Sequence, residues 1–250
     1  MSTRNTSASE LLLSATAYEQ IKIDIVACAL RPGEQITEGA LQARYQIGKA
    51  TLRAALARLA QEGLVRSEPR RGYRISPITL RDVNEIFDTR MVVEPVALKL
   101  GTFAMTAHDL EELEPAIRQT RKPETLRSPT AFLAAAKELH LAITRTTGNF
   151  RLVRTLSHLL DESERVMHMG YAYLDFTKLL SRQQERLLSA VAGGDGEAVE
   201  AISQEQIVDT KRMLVDALVS SDSLLTINLH RTKSAVEGGS AARGRPRGRA

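Results

Sequence analysis

Lys49, Thr51 and Arg53 place an ammonium, a hydroxyl and a guanidinium within five residues of a stretch with helical apolar spacing. Hydrogen-bond donors crowded into the first turns of a helix are what base edges and phosphates in a major groove require. Arg58 continues the basic series, and Arg70-Arg71-Gly72 sits between two short apolar runs, as the tip of a hairpin that can reach an adjacent groove or the backbone. The rest of the chain offers little covalent chemistry. It has no P-loop, no nucleophile elbow, no HExxH and no convincing pair of catalytic carboxylates. His158 and His168 are ten residues apart, which is not a chelating helical spacing. An enzyme, with a helical catalytic domain fused to a nucleic-acid module, is therefore the weaker alternative.

These donors need elements to hold them. Tyr18, Ile21, Ile25, Cys28 and Leu30 recur at helical spacing from Ser14 or Thr16 onward, and Arg31-Pro32-Gly33 ends that helix. Thr37 is an N-cap for a short helix over 38–44, and Ile47-Gly48 makes a turn. A second helix runs from Lys49 to Glu62, burying Leu52, Leu56, Leu59 and Ala60, with Gly63 as its left-handed cap. Leu64-Val65 and Tyr73-Arg74-Ile75 are strands around the arginine tip. The order predicts a winged helix-turn-helix over residues 11–77.

Beyond it the sequence predicts an all-helical bundle of about six helices over 78–223. The fold class is mainly α with one small β-hairpin. Residues 1–10 and the Gly/Ala/Arg-rich 224–250 have no apolar periodicity and read as disordered. The arginines of that tail suit either nonspecific phosphate attraction or solubility. Charge follows the same division: residues 11–77 sum to +4, 78–230 to −5 and 231–250 to +5. A basic end joined to an acidic middle fits a polyanion-binding domain with a separate partner domain. A nonspecific architectural DNA binder is the alternative that the acidic middle disfavours. The lone cysteine, Cys28, cannot form an internal disulfide and reads as a small core residue. With no apolar run near 18 residues and no secretory signal, a cytoplasmic protein is expected.

Residues 18–77 resemble the DNA-binding domain of the GntR family of bacterial transcription regulators. The likeness is carried by Arg31-Pro32-Gly33-Glu34, Ile36-Thr37-Glu38, Leu41, Lys49-Ala50-Thr51-Leu52-Arg53, Glu62-Gly63-Leu64-Val65 and Arg71-Gly72. It implies that Thr37, Lys49, Ala50, Thr51, Arg53, Arg70, Arg71 and Gly72 lie at the DNA. Gly39 stands where the family often has arginine, and Lys49 replaces another, losing a bidentate fork for guanine. Residues 80–218 resemble the effector domain of the FadR subgroup, on Arg90 with Glu94, Leu139-His140 with Gly148-Asn149, and Gly193-Gly194-Asp195.

That resemblance implies a dimer on an inverted-repeat operator, and repression relieved by a small organic acid. Many members also hold a divalent metal with one Asp and three His. Here the corresponding positions are Ala136, His140, Gln184 and Gln206, so one ligand of the four remains and no metal cofactor is expected. His140, Gln184 and Gln206 could instead line a metal-free pocket for a carboxylate, with Arg90 as counter-charge. His140 as a satisfied interior histidine, and Arg90 paired with Glu94 one turn on, are the competing readings.

Overall fold

A computed structural model describes residues 3–171 and 177–220. The N-terminal part runs α1 (Thr3–Val26), β1 (Gln35–Ile36), α2 (Glu38–Tyr45), α3 (Lys49–Gln61), β2 (Val65–Glu68) and β3 (Gly72–Ile75). Tyr18, Ile21 and Ile25 of α1 pack on Leu52, Leu56 and Leu59 of α3, and Ile75 closes the core from the sheet. Ala60, expected in that stripe, is exposed, because it sits one residue past Leu59 and about 100° round the helix from it. The Thr37 side chain accepts from the Ala40 N–H at 3.2 Å, the expected cap of α2. Gly63 has φ +74°, the left-handed cap that follows α3.

Three further sequence expectations change here. Residues 3–10 are helical, because α1 begins at Thr3. That helix ends at Val26, before Cys28, which takes φ 56° in the following turn and is half-buried rather than a helical core residue. The hairpin is a three-stranded antiparallel sheet in the order β1-β3-β2, with Gln35 opposite Arg74 and Ile36 opposite Tyr73. A two-residue strand has no alternation to read. Its presence explains Gly72: a Cβ there would lie 2.6 Å from the Ile36 carbonyl oxygen, and φ is +89°.

The second part contains α4 (Leu80–Ala104), α5 (Ala107–Arg121), α6 (Pro123–Leu126), α7 (Pro129–Arg145), α8 (Phe150–Tyr171), α9 (Thr177–Ala192) and α10 (Gly196–Ser220). Against the expected six or so helices, the described residues form six long ones, and the one-turn α6 is additional. Thr79 with Asp82, and Thr106 with Asp109, form reciprocal capping boxes that start α4 and α5. Helix α4 is the axle of the bundle, packing on α7, α8 and α10. It runs unbroken through Pro95. At Gly101 a Cβ would come within 2.1 Å of the Ile143 carbonyl oxygen, so glycine sets how closely α4 meets α7. The tail expected to be disordered, 224–250, lies outside the described residues.

Candidate nucleic-acid interface and effector cavity

On α3 the core residues Leu52, Leu56 and Leu59 face α1, which leaves Ala50, Ala54 and Ala57 exposed on the far side. Small side chains there let the helix backbone approach a groove wall closely. Lys49 and Arg53 flank them, with 60% and 57% of their side chains exposed. Glu38 of α2 holds both: Arg53 Nε and Nη2 donate to its two oxygens at 2.8 and 3.2 Å, and Lys49 Nζ stands 3.8 Å away. The arginine beside Glu38 keeps that carboxyl below its ordinary range. This fork fixes the Arg53 guanidinium beside the open face in the DNA-free protein. Thr51 is half-buried on the same helix, and Thr37 is exposed at the start of α2.

The wing is braced from within. Arg74 donates to both Glu68 oxygens and, at 3.0 Å, to the Gly33 carbonyl, tying β3 to β2 and to the turn before β1. Arg70, at φ 63°, and Arg71 make the exposed tip. Arg58 does not join this surface. It lies nine residues after Lys49, half a turn round the helix, with its guanidinium 3.7 Å from the Tyr18 ring centroid.

In the helical part, Arg90, Ala136, His140, Gln184 and Gln206 all line one cavity of about 70 Å³. Counting along the sequence thus located residues from four helices that meet. The spacing of Arg90 and Glu94 gives a buried pair, with Arg90 Nε donating to Glu94 Oε2 at 2.7 Å. Arg90 also donates to the Ser163 hydroxyl of α8 at 2.6 Å. His140 Nδ1 meets the other Glu94 oxygen at 2.8 Å. Burial alone would raise the Glu94 pKa, but Arg90 and His140 outweigh it and hold the carboxyl at about 2. An ionised Glu94 can only accept, so Nδ1 carries the proton and fixes the ring.

The two competing readings of His140 and Arg90 therefore merge. Glu94 satisfies one side of each; the other side of Arg90 is taken by Ser163, and the far nitrogen of His140 stays open. His140 Nε2 and Gln184 Nε2 are buried and have no hydrogen-bond partner among the described residues. A buried polar atom left this way costs about 1–3 kcal/mol, which a bound group would recover. The spacing argument missed Lys137 of α7 and Glu164 of α8, which also line the cavity. Lys137 Nζ bonds Asp161 and lies 3.3 Å from Glu164. Burial lowers the Lys137 pKa, but these two carboxylates more than reverse it and raise it above the ordinary value. The i, i+3 step from Asp161 to Glu164 was readable, but not its partner across to α7.

These residues do not suit a transition metal. They offer one imidazole and two amides, with Ala136 one turn before His140 where a carboxylate would be needed. Glu94 sits behind the imidazole, with its oxygens engaged by His140 and Arg90. Glu138 points elsewhere and pairs with Arg145 at 2.6 Å.

Comparison with known proteins agrees with this two-part plan. Residues 13–75 match the family described as bacterial regulatory proteins, gntR family, and residues 85–209 match the FCD domain. The Escherichia coli K12 protein named HTH-type transcriptional repressor RspR is 25% identical over 183 residues, 73% of this chain and 80% of that one. The Escherichia coli repressor GlaR is 32% identical over 90 residues, covering 36% and 41%. Among solved structures, Escherichia coli McbR/YncC superposes with a TM-score of 0.73 at 19% identity, over 82% of this chain and 97% of the other. A GntR regulator from Rhodococcus sp. RHA1 gives 0.69 at 20% identity, over 82% and 98%. No helix among the described residues is long and apolar enough to cross a membrane. The chain belongs to the GntR family of bacterial transcription regulators, with a helix-turn-helix DNA-binding domain followed by an FCD effector domain, and is not an enzyme.

Proposed function

We propose that this regulator is a homodimeric repressor whose affinity for an inverted-repeat operator is set by a small carboxylate in the α4–α7–α8–α9–α10 cavity. The observation that carries the effector half is the pair of buried, unpartnered nitrogens, His140 Nε2 and Gln184 Nε2, beside the Arg90 and Lys137 cations. Gln184 Nε2 and the two cations are donors and suit an anion better than an apolar ligand, while His140 Nε2, an acceptor as long as Nδ1 carries the proton, suits a hydroxyl of the same ligand. About 70 Å³ is well below the few hundred Å³ of an ordinary small-molecule site, so the effector is small or the cavity widens to take it. On the DNA half, Lys49, Ala50, Thr51 and Arg53 enter the major groove. Thr37 stands at the backbone, and Arg70, Arg71 and Gly72 form the wing contact.

A second copy fits the outer face of α4. Val92, Val96, Leu100 and Phe103 recur at i, i+4, i+8 and i+11, and are 72%, 43%, 48% and 56% exposed. An apolar stripe of this kind on one helix face marks an interaction surface, and a two-fold dimer matches a two-fold operator. The repressor names of RspR and GlaR support the sign.

The test uses fluorescence anisotropy on duplexes from the region upstream of the protein's own reading frame, against random DNA. Lys49→Ala with Arg53→Ala is expected to abolish specific binding while circular dichroism stays unchanged. Retained affinity overturns the groove assignment, and equal affinity for random DNA favours the architectural binder.

A further inference from the structure

Helix α8 has two working faces. Ser163 and Glu164 look into the effector cavity, whereas Asp161 and Arg165 turn to the DNA-binding domain. On the second face the buried Arg165 donates to the Ser76 carbonyl, in the segment that joins the two domains. The Cys28 thiol in turn lies 3.5 Å from the Arg165 carbonyl.

The faces are connected by charges that alternate in sign. Lys137, in the cavity wall, pairs with Asp161 Oδ1. Asp161 Oδ2 takes Lys22 Nζ of α1 at 2.6 Å. Lys22 reaches Glu62 Oε2 at 3.0 Å, and Glu62 is the residue that caps α3. Tyr18 closes the far end, donating to Glu62 Oε1 at 2.5 Å while Arg58 of α3 stacks on its ring. The side chains of Asp161, Lys22 and Glu62 are only 6%, 15% and 17% exposed, so water screens these pairs far less than surface ones.

Each interior member of this chain has two opposite charges competing for it. Lys137 and Lys22 share Asp161, and Asp161 and Glu62 share Lys22. An anion placed at Lys137 draws that ammonium away from Asp161. Asp161 then has Lys22 as its one strong partner and holds it more tightly. Lys22 is drawn from Glu62, and the end of the recognition helix loses part of its anchor.

We infer that Lys137 transmits effector binding to the recognition helix through the Lys137–Asp161–Lys22–Glu62 ion-pair chain. This rests on the reading of the cavity as an anion site, but the chain can be tested without any effector. Removing the Lys137 charge frees Asp161 just as an anion would, so Lys137→Met should mimic the effector-bound state. A spatial route becomes a coupling claim only when the two ends are shown to depend on each other.

The experiment is a double-mutant cycle in the full-length protein. Operator affinity is measured for the parent, Lys137→Met, Lys22→Met and the double variant, with Lys137→Gln in reserve should methionine disturb folding. Lys137→Met is expected to weaken operator binding about 5-fold or more, the lower end of ordinary coupling between sites. In the Lys22→Met background the same change should do nothing. An equal factor in both backgrounds, or no effect in the parent, overturns the relay.

Acetate, titrated at constant ionic strength, tests the cavity separately through the melting temperature of the parent and of Gln184→Ala. A stabilisation lost in Gln184→Ala, together with an additive cycle, removes the relay and keeps the anion site. A non-additive cycle with no acetate effect keeps the relay and removes acetate as a ligand.

Discussion

The proposed DNA-reading face and the proposed effector cavity use charge in opposite ways. Arg53 and Lys49 are more than half exposed, and their shared partner Glu38 costs little to hold in water. Arg90, Glu94 and His140 are all buried, and each is tolerable only because the others are there. The first region can lose a charge and keep its fold while losing its ligand. In the second, the groups facing the cavity are also structural, so any binding there is coupled to the fold. Variants that separate the two regions should therefore behave differently, and the largest contrast is at Glu94.

Replacing Glu94 with Ala leaves the Arg90 guanidinium buried without its carboxylate. The expected loss is about 3–5 kcal/mol, read by chemical denaturation. Arg53→Ala, by contrast, should move stability by less than about 0.5 kcal/mol. A small effect at Glu94 would mean that the ion pair is solvated and the comparison fails. Acid sharpens the same point. The Glu94 carboxyl titrates near 2 in the folded chain against an ordinary 4.5, so it binds protons more weakly folded than unfolded. Its stabilisation is complete above pH 4.5 and is lost as pH falls toward 2. Denaturation midpoints across that window should fall in the parent, and the fall should be shallower in Glu94→Gln.

The contrast also explains what could be read beforehand. The winged domain was legible nearly residue by residue, because its signals are local: a cap at Thr37, a glycine at 63, an arginine tip at 70–71. What it hid was β1, two residues long, whose existence only Gly72 betrays once the backbone is placed. In the bundle, helix boundaries followed from periodicity, and counting brought Ala136, His140, Gln184 and Gln206 to one cavity. Pairings between helices stayed hidden. That Glu94 would reach His140, 46 positions away, or Lys22 would reach Asp161 depends on packing angles no spacing encodes.

Gly72 gives a middle-sized effect on the exposed side of the comparison. Alanine there adopts a left-handed φ of +89° and meets the Ile36 carbonyl at 2.6 Å, so β1 and the wing must move apart. A cost of about 1–3 kcal/mol is expected from the backbone strain. Operator affinity should fall further than stability predicts, because Arg70 and Arg71 are displaced with the turn. Unchanged affinity in a folded Gly72→Ala protein would remove the wing from the DNA interface.

Thr37 yields the smallest effect and tests whether the exposed region truly separates fold from function. Its side-chain oxygen accepts from Ala40 N–H at 3.2 Å, while the side chain itself is exposed at the start of α2. Thr37→Ala removes both the cap and any backbone contact with DNA, and should cost about 1 kcal/mol of stability. Thr37→Asp keeps a capping oxygen and suits the helix dipole, but sets a negative charge where phosphate is expected. If Thr37 stands at the DNA, the aspartate variant melts like the parent and binds operator worse than the alanine one. If it only caps α2, the order of the two affinities follows their stabilities instead.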